Sequence, residues 1–130
     1  MENEISDPSS LDIGDTATVP DIWRADISTI VQSLCERDFT LSQPQDITTT
    51  VEPTTARHMK GALNDYGETL APLPEESWKT SYCERFSEKE WKVEVDLWTT
   101  ESGRSDMVLT IEVDGLEEGY SFELTSIHVP

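Results

Sequence analysis

The sequence has 130 residues, of which 27 are acidic and nine are Lys or Arg, and its formal net charge is −18 at pH 7. A polyanion of this strength is not held on DNA, RNA or an anionic membrane by non-specific attraction, because that attraction requires clustered basic side chains. The length corresponds to one domain, and a hydrophobic content of 35% predicts a modest core beneath a strongly acidic surface.

The amino-terminal segment is acidic throughout, since its first 22 residues include six acids and no basic residue, interspersed with proline and glycine. This composition predicts a flexible acidic leader over residues 1–22, followed by a single domain over residues 23–130. The segment lacks the basic and apolar regions of a signal peptide, and no apolar run is long enough to span a membrane, which predicts a cytoplasmic protein.

Two stretches have the apolar spacing of amphipathic helices. In each of them apolar residues recur every three or four positions and therefore share one face. The first helix is predicted to follow Pro20, and the second to run from Pro53 to a left-handed cap at Gly67. The shared faces consist of Trp23, Ile27, Ile30, Val31 and Leu34 in the first helix and of Met59, Leu63 and Tyr66 in the second.

Beyond these helices the period changes to 2, which is typical of strands with one buried face. Four strands are predicted, over residues 78–86, 91–97, 107–113 and 120–124. The alternation changes phase near Thr125–Ser126, which predicts either a bulge or the end of the strand there. The connections are too short for parallel crossovers. We therefore predict an α+β fold in which two N-terminal helices pack on one face of a curved, four-stranded antiparallel meander.

The motifs of common enzymes are missing from the sequence. The two histidines have no metal-ligand spacing with Cys35 or Cys83, and there is no GxSxG, GxxxxGK or GxGxxG motif. The acidic run over residues 114–118 lacks the residue order of a calcium loop and is better explained as a hairpin turn. We therefore predict no catalytic residue, no cofactor and no metal site. Because the two cysteines do not form a CxxC motif, the sequence favours two free thiols, and a Cys35–Cys83 disulfide remains the alternative.

One predicted strand face combines carboxylates with an aromatic residue. Glu94 and Asp96 project opposite the apolar face of their strand, which predicts a solvated outer surface. Trp98 and Val108 have the same outward parity, so they are expected to meet across the sheet. They lie either beneath the leader or a connecting segment, or in an exposed apolar patch within an acidic field. The exposed arrangement is typical of binding sites for basic proteins. The predicted partner-binding residues are Glu94, Asp96, Trp98, Glu101, Asp106 and Glu112.

Two of the predicted strands carry a motif that resembles a known type of domain. The sequence WKVEVDLWT at residues 91–99 is followed by GRSDMVL at residues 103–109. This pattern resembles a family of small acidic bacterial domains of uncharacterised function, and an immunity-protein-like domain is one interpretation of it. The resemblance implies a bacterial origin and a layout of helices followed by a sheet, and it implies no catalytic residue. The layout also resembles the cystatin and nuclear-transport-factor-like folds, which implies a fold only.

The sequence favours a non-enzymatic binding protein over the other classes. We expect an immunity protein or antitoxin that neutralises a basic, nuclease-type bacterial toxin, because carboxylates presented to a positive cleft speed association and compete with the substrate. Direct binding to nucleic acid or to a membrane is not expected, and the oligomeric state stays open. Three alternatives remain: a DNA mimic that inhibits a DNA-binding or defence protein, an accessory or regulatory module with an apolar contact patch, and an enzyme. The enzyme would need a pocket lined by polar groups such as Tyr66, Tyr82, Asp96 or His128.

Overall fold

The computed structural model describes residue 5 and residues 7–130, and this part of the chain forms an α+β fold. A short 3-10 turn over Pro8–Ser10 precedes the main elements. In chain order these elements are β1 (Thr16–Thr18), α1 (Asp21–Cys35), β2 (Thr48–Thr50), α2 (Pro53–Tyr66), β3 (Leu70–Ala71), α3 (Ser77–Thr80), β4 (Tyr82–Ser87), β5 (Glu90–Thr99), β6 (Gly103–Gly115) and β7 (Tyr120–His128). Among the described residues, no helix has the length and apolar character needed to cross a membrane.

The strands of the described residues form one seven-stranded mixed sheet. Its order is β1-β4-β5-β6-β7-β2, and β3 pairs with β5 beside this path. The pairs are antiparallel except that β2 runs parallel to β7 at the far edge. The long strands β4 to β7 are sequential neighbours joined by short turns, and they make up the middle of the sheet.

The predicted four-stranded meander beneath two helices is therefore wrong. The cystatin or nuclear-transport-factor-like layout, which depended on that meander, is wrong as well. The additional strands β1, β2 and β3 contain only two or three residues each, too few to show a period of 2. In addition, residues 77–80 form the helical turn α3, where a weak alternation predicted the start of a strand. The prediction failed where elements were too short for periodicity to identify them.

The long helices cover one side of the sheet, which we call the inner face. The apolar stripe predicted for the first helix lies in α1 and is fully buried. Within it Trp23 packs edge-on against Trp91 of β5 and Phe122 of β7, with ring centroids 5.5 and 6.4 Å apart. The helix α2 ends at Gly67, whose φ of 80° is the left-handed cap expected there. In this helix, the Nε2 atom of His58 lies 3.1 Å from the backbone oxygen of Ile127 in β7.

The segment predicted as a leader is packed on the body over residues 7–22, whereas residues 1–4 and 6 lie outside the described residues. Arg85 of β4 donates to four backbone carbonyl oxygens, those of Ser9, Leu11, Ser87 and Glu88. The indole of Trp91 donates to the carbonyl oxygen of Pro8 (3.2 Å). Because Leu11, Ala17 and Val19 are buried, this segment also contributes apolar area to the core.

The bulge predicted near Thr125 is present in β7. Ile111 pairs with Leu124 and Thr110 pairs with Ser126, so Thr125 is an extra residue in its strand. Its hydroxyl donates to the carbonyl oxygen of Thr110 (3.2 Å). The insertion reverses the parity of the strand and returns Ile127 to the buried inner face.

Candidate protein-binding surface

The face of the sheet opposite the helices, which we call the outer face, is rich in carboxylates. Residues of β4 to β7 whose side chains alternate with the buried positions define it. Two cationic side chains, Lys92 and Arg104, lie among seven acidic ones. These are Glu84, Glu94, Asp96, Asp106, Glu112, Asp114 and Glu123.

Glu94, predicted as a contact residue, is engaged within the protein. Its side chain is only 14% exposed. Its carboxylate accepts a hydrogen bond from the Thr110 hydroxyl (2.8 Å) and lies 3.6 Å from the ammonium of Lys92. These contacts stabilise the centre of the outer face and leave little of Glu94 for a partner.

Asp96 is also engaged, because α3 and β6 surround it. Its carboxylate accepts hydrogen bonds from the Thr80 hydroxyl and from Arg104 (3.3 Å), and its side chain is 17% exposed. Its backbone is held as well: the amide donates to the Ser81 hydroxyl (2.9 Å), and the carbonyl oxygen accepts from Ser77 (2.8 Å). Asp96 therefore fastens α3 to the sheet. We call Glu94 and Asp96, with these partners, the paired end of the outer face.

Trp98 and Val108, which were expected to meet across the sheet, are not paired in register. Trp98 is in register with Arg104, and Val108 with Asp96, because residues of β6 bulge between these pairs. Ser105 forms the bulge: its hydroxyl donates to the carbonyl oxygen of Leu97 (2.8 Å) and accepts from the Met107 amide (3.0 Å). The Gly-Arg-Ser-Asp motif thus has a structural role.

Trp98 is half-buried, and it pairs in register with Ala71 of β3. This neighbour belongs to the segment that connects α2 to the long strands, and a connecting segment is one of the environments that the sequence left open. Trp98 therefore presents only part of its ring to a partner.

Glu101 lies in the turn between β5 and β6 and holds the loop before β3. Its carboxylate accepts hydrogen bonds from the Thr69 amide (2.8 Å) and the Thr69 hydroxyl (2.9 Å). These two bonds lower the pKa of the Glu101 carboxyl below its ordinary value. The neighbouring Glu68 accepts in turn from Thr99 (2.6 Å) and Ser102 (2.8 Å). Glu101 is therefore placed as a structural residue at the end of the sheet.

A row of charged residues crosses the outer face from β4 to β7. Glu84 pairs with Lys92, Lys92 with Glu112, and Glu112 with Glu123, each directly across neighbouring strands. We call these four residues the acidic row. Adjacent strands lie about 4.8 Å apart, so Glu112 and Glu123 bring two like charges close together, an arrangement that destabilises a sheet.

Five carboxylates of the outer face form no hydrogen bond or ion pair with any described residue. These bare carboxylates are Glu84, Asp106, Glu112, Asp114 and Glu123. Of the predicted contact residues, Asp106 and Glu112 belong to this set, whereas Glu94, Asp96 and Glu101 are used internally. The sequence contained a signal for Glu123: a four-residue loop between Gly115 and Tyr120 fixes the register that sets it opposite Glu112.

Two exposed aromatic residues flank the acidic row on β4. Tyr82 is 40% exposed and Phe86 48% exposed. The Lys92 ammonium lies 5.5 Å from the ring centroid of Phe86, within range of a cation–π contact. The exposed aromatic side chains of the outer face therefore lie on β4. Phe86 was not among the predicted contact residues.

A shallow depression of about 630 Å³ adjoins the paired end. It is lined by Asp96, Arg104, Ser105, Asp106, Val108, Val129 and Pro130. The other groups named for a possible enzyme pocket are spread over the molecule. Tyr66 accepts a hydrogen bond from the Asp106 amide (3.1 Å), while Tyr82 and His128 are exposed on strands three positions apart in the sheet.

The two cysteines are free, as predicted, with Cys83 buried and Cys35 half-buried. Burial raises the pKa of each thiol to about 11, and the charge of Glu36 adds to the effect at Cys35. Both side chains are therefore protonated thiols at neutral pH. Among the described residues, no three His, Cys, Asp or Glu side chains are grouped to hold a metal ion.

Comparison with protein families gives a match over residues 31–130, which includes the whole outer face of β4 to β7. The chain belongs to a family described as a domain of unknown function (DUF7668). This match confirms the predicted membership of an uncharacterised domain family. Neither the curated proteins nor the solved structures contain a match.

Proposed function

We propose that this protein is a non-enzymatic binding protein of the cytoplasm, an immunity protein or antitoxin that neutralises a basic, nuclease-type toxin. The observation that carries the proposal is the set of five bare carboxylates on the outer face. A protein that needs acidic residues only for solubility has no reason to place two of them directly opposite each other in a sheet, because that pairing reduces stability.

The outer face also has the physical composition of an interface. Carboxylates without internal partners generate a negative potential that accelerates the approach of a basic protein. The exposed rings of Tyr82 and Phe86 supply apolar area beside them, and aromatic residues are enriched among energetically important contacts. The long strands form the middle of the sheet, so the face is rigid and is available without an ordering cost.

The proposal is tested with basic nuclease-type proteins encoded next to this gene, each expressed with and without the protein. We expect coexpression to restore growth, and we expect the association rate of the purified pair to fall steeply as salt rises from about 50 to about 500 mM, since the Debye length shortens severalfold over that range. Absence of growth rescue, or an association rate that does not depend on salt, contradicts the proposal. If the protein instead binds a DNA-binding protein and is displaced by duplex DNA, the DNA-mimic alternative replaces it.

A further inference from the structure

The acidic row suggests which chemical group of a partner binds to it, and this inference rests on the proposed function. We propose that the outer face docks a basic protein segment through an arginine that bridges Glu112 and Glu123, with a second side chain of the segment placed on Phe86.

Lys92 shows how this face holds a cation. Its ammonium lies 3.6 Å from a carboxylate oxygen of Glu94 and 5.5 Å from the centroid of the Phe86 ring. One cation of the protein itself is thus bound by a carboxylate and an aromatic ring of this face. Lys92 is already engaged in this way, which leaves Glu112 and Glu123 without a cation.

The carboxylates of Glu112 and Glu123 favour arginine over lysine. They stand directly opposite each other on β6 and β7, and neither bonds to a described residue. A guanidinium is planar and has five N–H donors, so it can bond to both carboxylates at once, whereas an ammonium acts as a point charge. Binding of a cation between them also removes the like-charge repulsion.

The spacing between strands limits the shape of the docked segment. Phe86 is on β4 and Glu123 is on β7, which is three strands away. At about 4.8 Å per strand, the two contacts are about 10–14 Å apart. Two turns of an α-helix, or about four residues of extended chain, cover this distance. The partner segment is therefore expected to carry its arginine and its second contact residue at one of these separations.

The experiment uses the full chain, labelled with ¹⁵N, and synthetic decapeptides of arginine and of lysine. Binding is measured by NMR titration for the unsubstituted protein and for the E112Q/E123Q variant. The control is E75Q/E76Q, which removes the same number of charges from exposed residues outside the outer face. Circular dichroism of each variant confirms that the fold is retained, and F86A tests the second contact.

We expect the arginine peptide to bind more tightly than the lysine peptide and to shift the amide signals around Glu112 and Glu123. We expect E112Q/E123Q to weaken its binding by about tenfold, and the control by less than about twofold, because general attraction is spread over many charges while a bridged pair is local. Equal losses in the two variants, or equal binding of the two peptides, overturn the inference.

The outcome is separable from that of the proposed function. If the unsubstituted protein protects cells from a toxin and E112Q/E123Q protects equally well, the inference is wrong and the proposed function stands. If the unsubstituted protein protects against no toxin, the proposed function is wrong even when the peptides bind as expected.

Discussion

The paired end and the acidic row belong to the same face of the same sheet, yet their carboxylates differ in the contacts they make within the protein. At the paired end, Glu94 and Asp96 are less than 20% exposed, and each accepts a hydrogen bond from a threonine and forms an ion pair with a cation. In the acidic row, Glu112 and Glu123 have no such partners among the described residues. The difference teaches that acidic composition has two roles here: one group of carboxylates stabilises the fold and the other is available to an external cation.

The distribution of the cations produces this difference. Of the described side chains on the outer face, Lys92 and Arg104 are the two basic ones, and both ion-pair with carboxylates of the paired end. Lys92 has Glu112 directly across from it on β6, but its ammonium lies beside Glu94. Glu112 and Glu123 are therefore bare because Lys92 and Arg104 pair with Glu94 and Asp96 instead.

The largest contrast is expected when one carboxylate is removed from each region. Asp96→Ala should lower the free energy of unfolding by about 1–2 kcal/mol, because Thr80 and Arg104 lose their acceptor and α3 loses a contact with the sheet. Glu112→Ala should not lower it, since the side chain bonds to nothing in the described protein and its loss relieves the repulsion from Glu123; the change should stay below about 0.5 kcal/mol. Urea denaturation of the two variants measures both values, and equal losses would remove the distinction between the regions.

A smaller effect of opposite sign is expected within the acidic row. Glu112→Gln together with Glu123→Gln should raise the free energy of unfolding by about 0.2–1 kcal/mol, because the repulsion between directly opposed carboxylates disappears. Added salt should stabilise the unsubstituted protein more than this variant, since screening already weakens the same repulsion. Thermal unfolding at low and high ionic strength checks both expectations. A variant that is less stable at every salt concentration would contradict them.

The smallest effect concerns Glu101, which lies outside the face and serves as a reference for a structural carboxylate. The bonds from Thr69 lower its pKa in the folded protein below the unfolded value. This carboxyl therefore contributes stability above its unfolded pKa and loses the contribution as the pH falls through the folded pKa. Glu101→Gln should reduce the loss of stability between about pH 5 and about pH 3. Urea denaturation across that range measures the difference, and the same pH dependence in both proteins would show that the two bonds do not affect folding.

The sequence predicted the elements whose patterns are long. The stripe of α1 and the strict alternation of β5 located a helix and a strand, because each extends over several repeats of its period. It did not predict the architecture. β2 consists of Thr48–Thr50 within a polar connection, and its parallel pairing with β7 depends on contacts far apart in the chain that no local pattern records.

The candidate site shows a similar limit. Outward parity was enough to place Glu94, Asp96 and Glu112 on one face, but parity does not reveal which carboxylates find partners. That depends on α3 approaching Asp96 and on Thr110 lying across from Glu94. The β6 bulge at Ser105 changed the neighbour of Trp98, because hydrogen bonding by one serine side chain replaced a step of the regular ladder.

The attachment of residues 7–22 to the body has a practical consequence for work on this family. The family match begins at residue 31, within α1, whereas Trp23 and two of the four carbonyl groups that accept from Arg85 precede it. A recombinant fragment trimmed to residues 31–130 would lack a fully buried tryptophan and would leave an arginine without two of its acceptors. The matched region is thus shorter than the packed body of the described residues, and expression designs should retain the preceding segment.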